Sequence, residues 1–315
     1  MIEQNGKLAV NTRCSTLSTE DTGRQQSMEQ RKKLVMDAAT AALKVRNSVH
    51  TKLWTPICIY DCADQLGIEV RFVDYPSMEG MYCKSESPII LVSSLRPSGR
   101  QVSTCAHELG HHFFKHGTRI DEIVNQTGTQ QHFDPEEFLA NCFAGFLLMP
   151  KSAVERAFAL RGWDVHSCTP LQLYTIAGWL GVGYTTLINH MNATLKLIPQ
   201  ALAHDLKKTS PMKIRAMLLG KNISEDLIIV DEYWSDRAID IHVGDILQLP
   251  AGVLSEGECV RLHTQDKNHS FFHGTTSGKG RLYQPSTGWS AYVRVSRRNY
   301  VGRSIFRHLE ETFDD

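Results

Sequence analysis

Between Cys105 and His116 the chain reads Cys-Ala-His-Glu-Leu-Gly-His-His-Phe-Phe-Lys-His, which holds four of its fourteen histidines. The segment His107-Glu108-Leu109-Gly110-His111 has the form H-E-x-x-H. On a helix, positions i and i+4 share a face, so His107 and His111 can offer two imidazoles to one metal ion. Glu108 stands one residue round, where its carboxylate can hold a metal-activated water and take its proton. This is the chemistry of a zinc hydrolase. Gly110 allows another backbone to come close, and Val102, Ala106, Leu109 and Phe113 predict the apolar face on which the helix rests. His112 and His116 repeat the i, i+4 spacing one residue further round and are expected to flank the site or meet solvent. An amphipathic helix with solvated histidines would read the same way, so a third ligand has to decide.

The elements that would position these groups follow from periodicity. Residues 1–27 are polar and aperiodic, a flexible leader. From Met28 a helix is predicted, with Leu34, Val35, Ala38, Ala42 and Val45 at helical spacing; a second runs from Pro56 to Gly67. Ile68–Phe72, Met81–Cys83 and Ile89–Val92 read as strands, and Pro97-Ser98-Gly99 opens the histidine helix. A strand beside such a helix can receive an extended peptide by edge pairing, although the sequence does not say which strand. Asp134 and Pro135 then start another helix as N-cap and first residue. On it Glu137, Asn141 and Ala144 share one face. Glu137 can be a third metal ligand with Asn141 supporting it, or it can close a capping box with Asp134. Glu136 points about 100° away from that face. Periodicity leaves ligand and cap open.

His107 to His111, followed by Glu137, Ala140, Asn141, Phe143, Ala144 and Leu147-Leu148-Met149-Pro150, resembles the ImmA/IrrE family of metallopeptidases over about residues 30–200. The resemblance implies zinc held by His107, His111 and Glu137, with manganese as the other metal to consider, and Glu108 as general base. It also implies a limited cut in a partner protein, typically an Xre-like helix-turn-helix repressor or antitoxin, which releases stress or mobile-element genes. A different class of answer is a binding protein, a toxin or anti-repressor partner in which zinc is structural. The rival zinc pattern H-E-x-x-H-x-x-G-x-x-H fails, because Phe114 and Gly117 occupy its glycine and third histidine. Tyr60, His112 and His166 are the candidates for steadying an oxyanion.

Ala177, Gly181 and Leu187 have helix-turn-helix spacing within 169–192, as the family commonly shows. Residues 183–191 bring no Arg or Lys and offer Tyr184, Thr185, Thr186, Asn189 and His190, so direct DNA binding is not expected. A helix over Ser152–Ala159 precedes this pair, and a connector with one helix follows over 201–222. From Leu227 the period changes to two, in runs at 227–230, 239–243, 246–249, 259–262 and 291–295, ending in a helix over Arg303–Phe313. The fold class is thus α+β: a mainly helical zincin-like peptidase domain over 28–200 with a small sheet, then a β-rich domain over 223–315, read as a sensor or recruitment module. His263, His269 and His273 are expected in its loops.

Composition limits the alternatives. Lys plus Arg equals Asp plus Glu, 34 each, so no global field favours nucleic acid or a membrane surface. The longest apolar run, Phe143–Met149, cannot span a bilayer. No signal-like segment opens the chain, and its eight cysteines form no C-x-x-C pair. They read as reduced thiols in a cytoplasmic protein. The Cys83–Cys105 pair suggests a cysteine switch only weakly, since an inert buried thiol explains both.

Overall fold

Ala38, Ala41, Ala42 and Val45 are all buried, at spacings of three and four that bring them onto one side of helix α1 (Thr19–Ser48). In the computed structural model, which describes residues 19–122, 133–221, 224–234 and 237–309, this helix begins at Thr19 rather than Met28. The rest of the expected leader lies outside the described residues. Next come α2 (Ile59–Gln65), β1 (Glu69–Val73), β2 (Met78–Cys83), β3 (Ile89–Ser93), the histidine helix α3 (Ser98–Phe113), β4 (Arg119–Glu122) and α4 (Pro135–Leu148). The sequence then forms α5 (Lys151–Leu160), α6 (Pro170–Leu180), α7 (Tyr184–Asn189), α8 (Gln200–Lys207) and α9 (Pro211–Leu219). The connector therefore holds two helices instead of one.

Strands β5 (Leu227–Ile229), β6 (Ile239–His242), β7 (Ile246–Pro250), β8 (Leu254–Glu256), β9 (Val260–Gln265), β10 (His269–Gly274), β11 (Gly278–Gln284) and β12 (Trp289–Ser296) build the β-rich half, and β13 (Gly302–Arg303) follows. They form two four-stranded sheets in the orders β5-β7-β10-β9 and β6-β12-β11-β8. β8, β10 and β11 carry Ser, Gly and charged residues that conceal them in the sequence. β10 and β11 are each paired on both sides, and that tertiary pairing overrides weak propensity. His263, His269 and His273 consequently lie on β9 and β10 rather than in loops. The expected terminal helix is replaced, within the described residues, by β13 and a 3-10 turn over Ser304–Phe306.

The first sheet has the order β13-β1-β3-β2-β4. α3 packs against β2 and β3 on one side and α4 on the other, while α1 runs along α4. The α3–α4 crossing is tight at Gly110, where a Cβ would stand 3.1 Å from the Ala140 Cα. Arg46 is fully buried and donates to the Leu147 carbonyl at 2.6 Å, the Lys52 carbonyl at 2.7 Å and the Thr55 carbonyl. It thereby ties α1 to the end of α4 and to the segment before α2.

The two halves are sutured together. β13 pairs antiparallel with β1, Arg71 opposite Arg303 and Phe72 opposite Gly302. Arg161 forms a fork with Asp231 at 2.7 and 2.9 Å. Arg294 reaches Asp61 at 2.9 Å and grips Asp240 through two bonds of 2.7 Å. Arg307 lies 4.8 Å over the Tyr60 ring and 3.5 Å from Asp240.

Asp240 is the hub of that junction. Burial alone would raise its carboxyl, but His308, Arg307 and Arg294 hold it well below the usual carboxylate range. A depressed acid stabilises the fold above its unfolded value, about pH 3.9, and the contribution is lost as pH falls through the folded value. Asp240→Asn is expected to cost roughly 3 kcal/mol at neutral pH, the lower end for guanidiniums left without their carboxylate. Urea midpoints of wild type and variant should converge as pH falls below about 4; a gap independent of pH would refute this account.

Candidate metal centre

α3 starts after Pro97, and Gln101 anchors its first turn by donating to the Ser94 carbonyl at 3.0 Å and the Arg96 carbonyl at 2.8 Å. Ala106 and Leu109 are buried as expected, but Phe113 is exposed at the edge, where it stacks on Phe143 at 5.9 Å. His107, Glu108 and His111 are buried with them. Two faces of α3 are in use. One carries His107 and His111 towards α4; the other carries Thr104, Glu108 and His112 towards β2.

α4 starts where expected. Asp134 caps it by accepting from the Glu136 and Glu137 amides at 2.9 and 3.4 Å, with Pro135 first in the helix. Glu137 turns its carboxylate to the histidines, Oε2 at 3.2 Å from His107 Nε2 and Oε1 at 3.5 Å from His111 Nε2. The two Nε2 atoms are 2.9 Å apart. The three donors thus lie within 4.8 Å of one another, the arrangement of a metal-ligand group. In a tetrahedral zinc site with bonds of about 2.0–2.1 Å, donors sit about 3.3 Å apart, so two imidazoles and a carboxylate at these separations fit the ion. Hydrogen bonds with His107 and His111 keep the Glu137 carboxyl well below its ordinary range, in the ionised form that a ligand requires. Asn141 is not a partner of that carboxylate: its amide donates to the Glu137 backbone carbonyl at 2.8 Å.

The surroundings add groups that the sequence reading did not single out. β2 begins at Met78, so its alternation turns Gly80 and Tyr82 towards α3. A Cβ at Gly80 would stand 2.7 Å from Glu108 Oε1 and 2.4 Å from Thr104 Cγ2, so only glycine lets the strand lie this close. Tyr82 Oη is 3.0 Å from His112 Nδ1. A glycine inside a strand was the available clue. His116 is buried, with Nδ1 2.9 Å from His111 Nδ1. Of the oxyanion candidates, His112 is engaged with Tyr82. Tyr60 is wedged between Phe72 and Arg307, and His166 is exposed on a separate 3-10 turn. The outer strand on the β2 side of this sheet, among the described residues, is β4.

His116 meets the second ring nitrogen of His111, the position from which outer partners of metal-bound histidines orient the ring. His116→Ala should weaken metal affinity about 10–100-fold while leaving secondary structure intact. Competition against a chromogenic chelator reads this directly, and an unchanged affinity would reduce His116 to a packing residue.

The helix-turn-helix-like pair is present. Thr169 and Gln172 form a capping box, Gly181 takes φ +73° at the turn, and Ala177 and Leu187 are buried. Two of the polar residues it offered are not at the surface. Tyr184 is buried with its hydroxyl donated to the Leu206 carbonyl at 2.8 Å. His190 is buried 3.0 Å from the Met149 carbonyl, and burial pushes its imidazole down to about 4. The seven described cysteines are free thiols; Cys105 is buried on α3, where burial pushes its thiol well up, and Cys83 is half-buried on β2. No helix among the described residues is long and apolar enough to cross a membrane.

A helix-borne H-E-x-x-H pair, a glutamate from a neighbouring helix and a small mixed sheet alongside define a metallopeptidase-like domain. Residues 63–192 match the family model of the IrrE N-terminal-like domain, Peptidase_M78. A solved structure described as a Mycobacterium tuberculosis transcriptional regulator is similar at 18% identity with a TM-score of 0.34. The alignment covers 50% of this chain and 46% of that one. No curated protein matches the sequence.

Proposed function

We propose that this protein is a zinc-dependent endopeptidase that makes a site-limited cut in a partner protein. The observation that carries the reading is the convergence of His107, His111 and Glu137, with Glu108 beside them, inside a domain of a peptidase family. His107, His111 and Glu137 would hold one ion; zinc suits the donor set, and manganese is the competitor. When bound, the metal supplies Lewis acidity to a water and to the scissile carbonyl. Glu108 accepts the proton of the attacking water and returns it to the leaving amine, so it ends each turnover as it began. β2, closed over Glu108 at Gly80, keeps that carboxylate in one place.

The partner we favour is an Xre-like helix-turn-helix repressor or antitoxin whose loss releases stress or mobile-element genes. Direct DNA contact by this chain is not part of the proposal. The exposed residues of α7 are Thr185, Thr186 and Asn189, and a Cβ on Gly99 at the start of α3 would stand 2.7 Å from the Gly183 backbone nitrogen. The end of α7 that would enter a groove is thus packed against α3.

Chelator-treated protein should lose cleavage of a co-purified or neighbouring repressor, and stoichiometric zinc should restore it. Manganese restoring more activity than zinc would reassign the metal. A repressor released from its operator by chelated protein, uncut, would replace the peptidase reading with that of a binding protein.

A further inference from the structure

A cavity of about 430 Å³ lies between α2 and the β-rich half. α2 presents Asp61, Cys62 and Gln65 to it, with Cys58 at the helix's N-cap. Arg237 and Arg294 come from the other side, and Lys52, from the segment joining α1 to α2, stands at the mouth. The volume falls within the range of small-ligand sites, roughly 300–1,000 Å³. The walls belong to both halves of the molecule.

The charges of this region do not cancel. Arg237, Arg294 and Arg307 face Asp61 and Asp240, which leaves one positive charge in surplus, and Lys52 raises the surplus to two. The acids are spent on particular partners. Arg294 directs Nε and Nη2 to Asp240 and Nη1 to Asp61. Arg237 is the least committed: Nε donates to the Ala238 carbonyl at 3.2 Å, Nη1 to the Trp179 carbonyl at 3.3 Å, and Nη2 is 3.9 Å from Asp240. A guanidinium carries five N–H donors, so Arg237 retains donors for a further acceptor.

Arg237 is also held in position. Its guanidinium lies 5.7 Å over the Trp234 ring. It rests on the Gly181 turn, where a Cβ would come within 2.6 Å of Nη1. A fixed fork needs little ordering when it meets an oxyanion, which is why arginine suits carboxylate and phosphate recognition.

We propose that this cavity binds a small metabolite bearing a carboxylate or phosphate, gripped by Arg237 within and Lys52 at the mouth. The ligand would bridge the α1–α2 connection and the β-rich half. The proposal does not depend on the peptidase reading, since its readout is binding.

Calorimetric titration of the full-length, metal-loaded protein with inorganic phosphate, and separately with citrate, at constant ionic strength tests it. One saturable site is expected for at least one probe, and the tighter probe identifies the oxyanion. Arg237→Gln should weaken that site about tenfold, the loss of one charge-assisted contact of roughly 1.4 kcal/mol. Lys52→Gln, an exposed change that does not threaten the fold, should weaken it several-fold. Absence of saturable binding by either probe overturns the proposal. So does binding that both variants retain at wild-type strength, which would place the anion at the metal or on the general surface.

Discussion

Glu108→Gln should retain its metal and lose its cleavage. The amide has the shape of the carboxylate, so it can occupy the fully buried position between α3 and Gly80 of β2 without a new void or clash. His107, His111 and Glu137 do not change, and the ion should bind as in wild type. A carboxamide cannot take the proton of the attacking water. General acid–base groups contribute about 10²–10⁴-fold, so the cleavage rate should fall by at least about 10². Zinc content by mass spectrometry and cleavage of the partner, measured on one preparation, separate the two effects. A variant that keeps zinc and still cuts within tenfold of wild type would remove Glu108 from the chemistry.

Glu137→Ala should do the opposite and empty the site. Two histidines on one helix are a weak bidentate pair, and the carboxylate from α4 completes a three-donor set at 3.2 and 3.5 Å. The loss in affinity should exceed the roughly 10–100-fold typical of removing a supporting residue, and activity should go with it. Glu136→Ala is the internal control, since Glu136 stands outside the converging group. Equal metal affinity in wild type and Glu137→Ala would mean that the third donor lies elsewhere. Equal losses in both Glu variants would point to a disturbed helix start rather than a lost ligand.

The parts of the site that sequence disclosed are those governed by local periodicity. His107 and His111 are one turn apart on any helix, and Asp134-Pro135 fixes where α4 begins and therefore which way Glu137 points. Spacing could not choose between Glu137 as ligand and as cap, because the choice depends on how α4 crosses α3. That crossing is set by Gly110 against Ala140, a contact between residues distant in sequence. Tyr82 and Gly80 escape the pattern for a similar reason: alternation predicts β2 only from Met81, which hides the face it turns to Glu108. His190 is one of the polar residues that 183–191 offers, but the π-helical turn over His190–Thr194 carries it inward against Gly145.

The β-rich half was legible only where apolar alternation is strong. β12 and β7 announce themselves through Val, Ile and Leu. β9 announces itself only over 259–262; every residue after Val260 is exposed, so its polar end looks like a loop until β10 is seen beside it. The junction between the halves was not legible at all. Arg294 meets Asp61 of α2 from 233 residues away, and Arg307 lies over Tyr60 of the same helix, so no local pattern brings the partners together.

β13 is only two residues long, yet it covers the outer side of β1. A naked strand edge is a template on which another chain can pair, and short covering strands are one way of blunting it. The two residues of β13 therefore work as a hem on the metallopeptidase-like half. A fragment cut after the helical region would carry an unhemmed β1, prone to self-association. Any recombination that exchanged the β-rich half for another module would have to supply a replacement strand at the same edge.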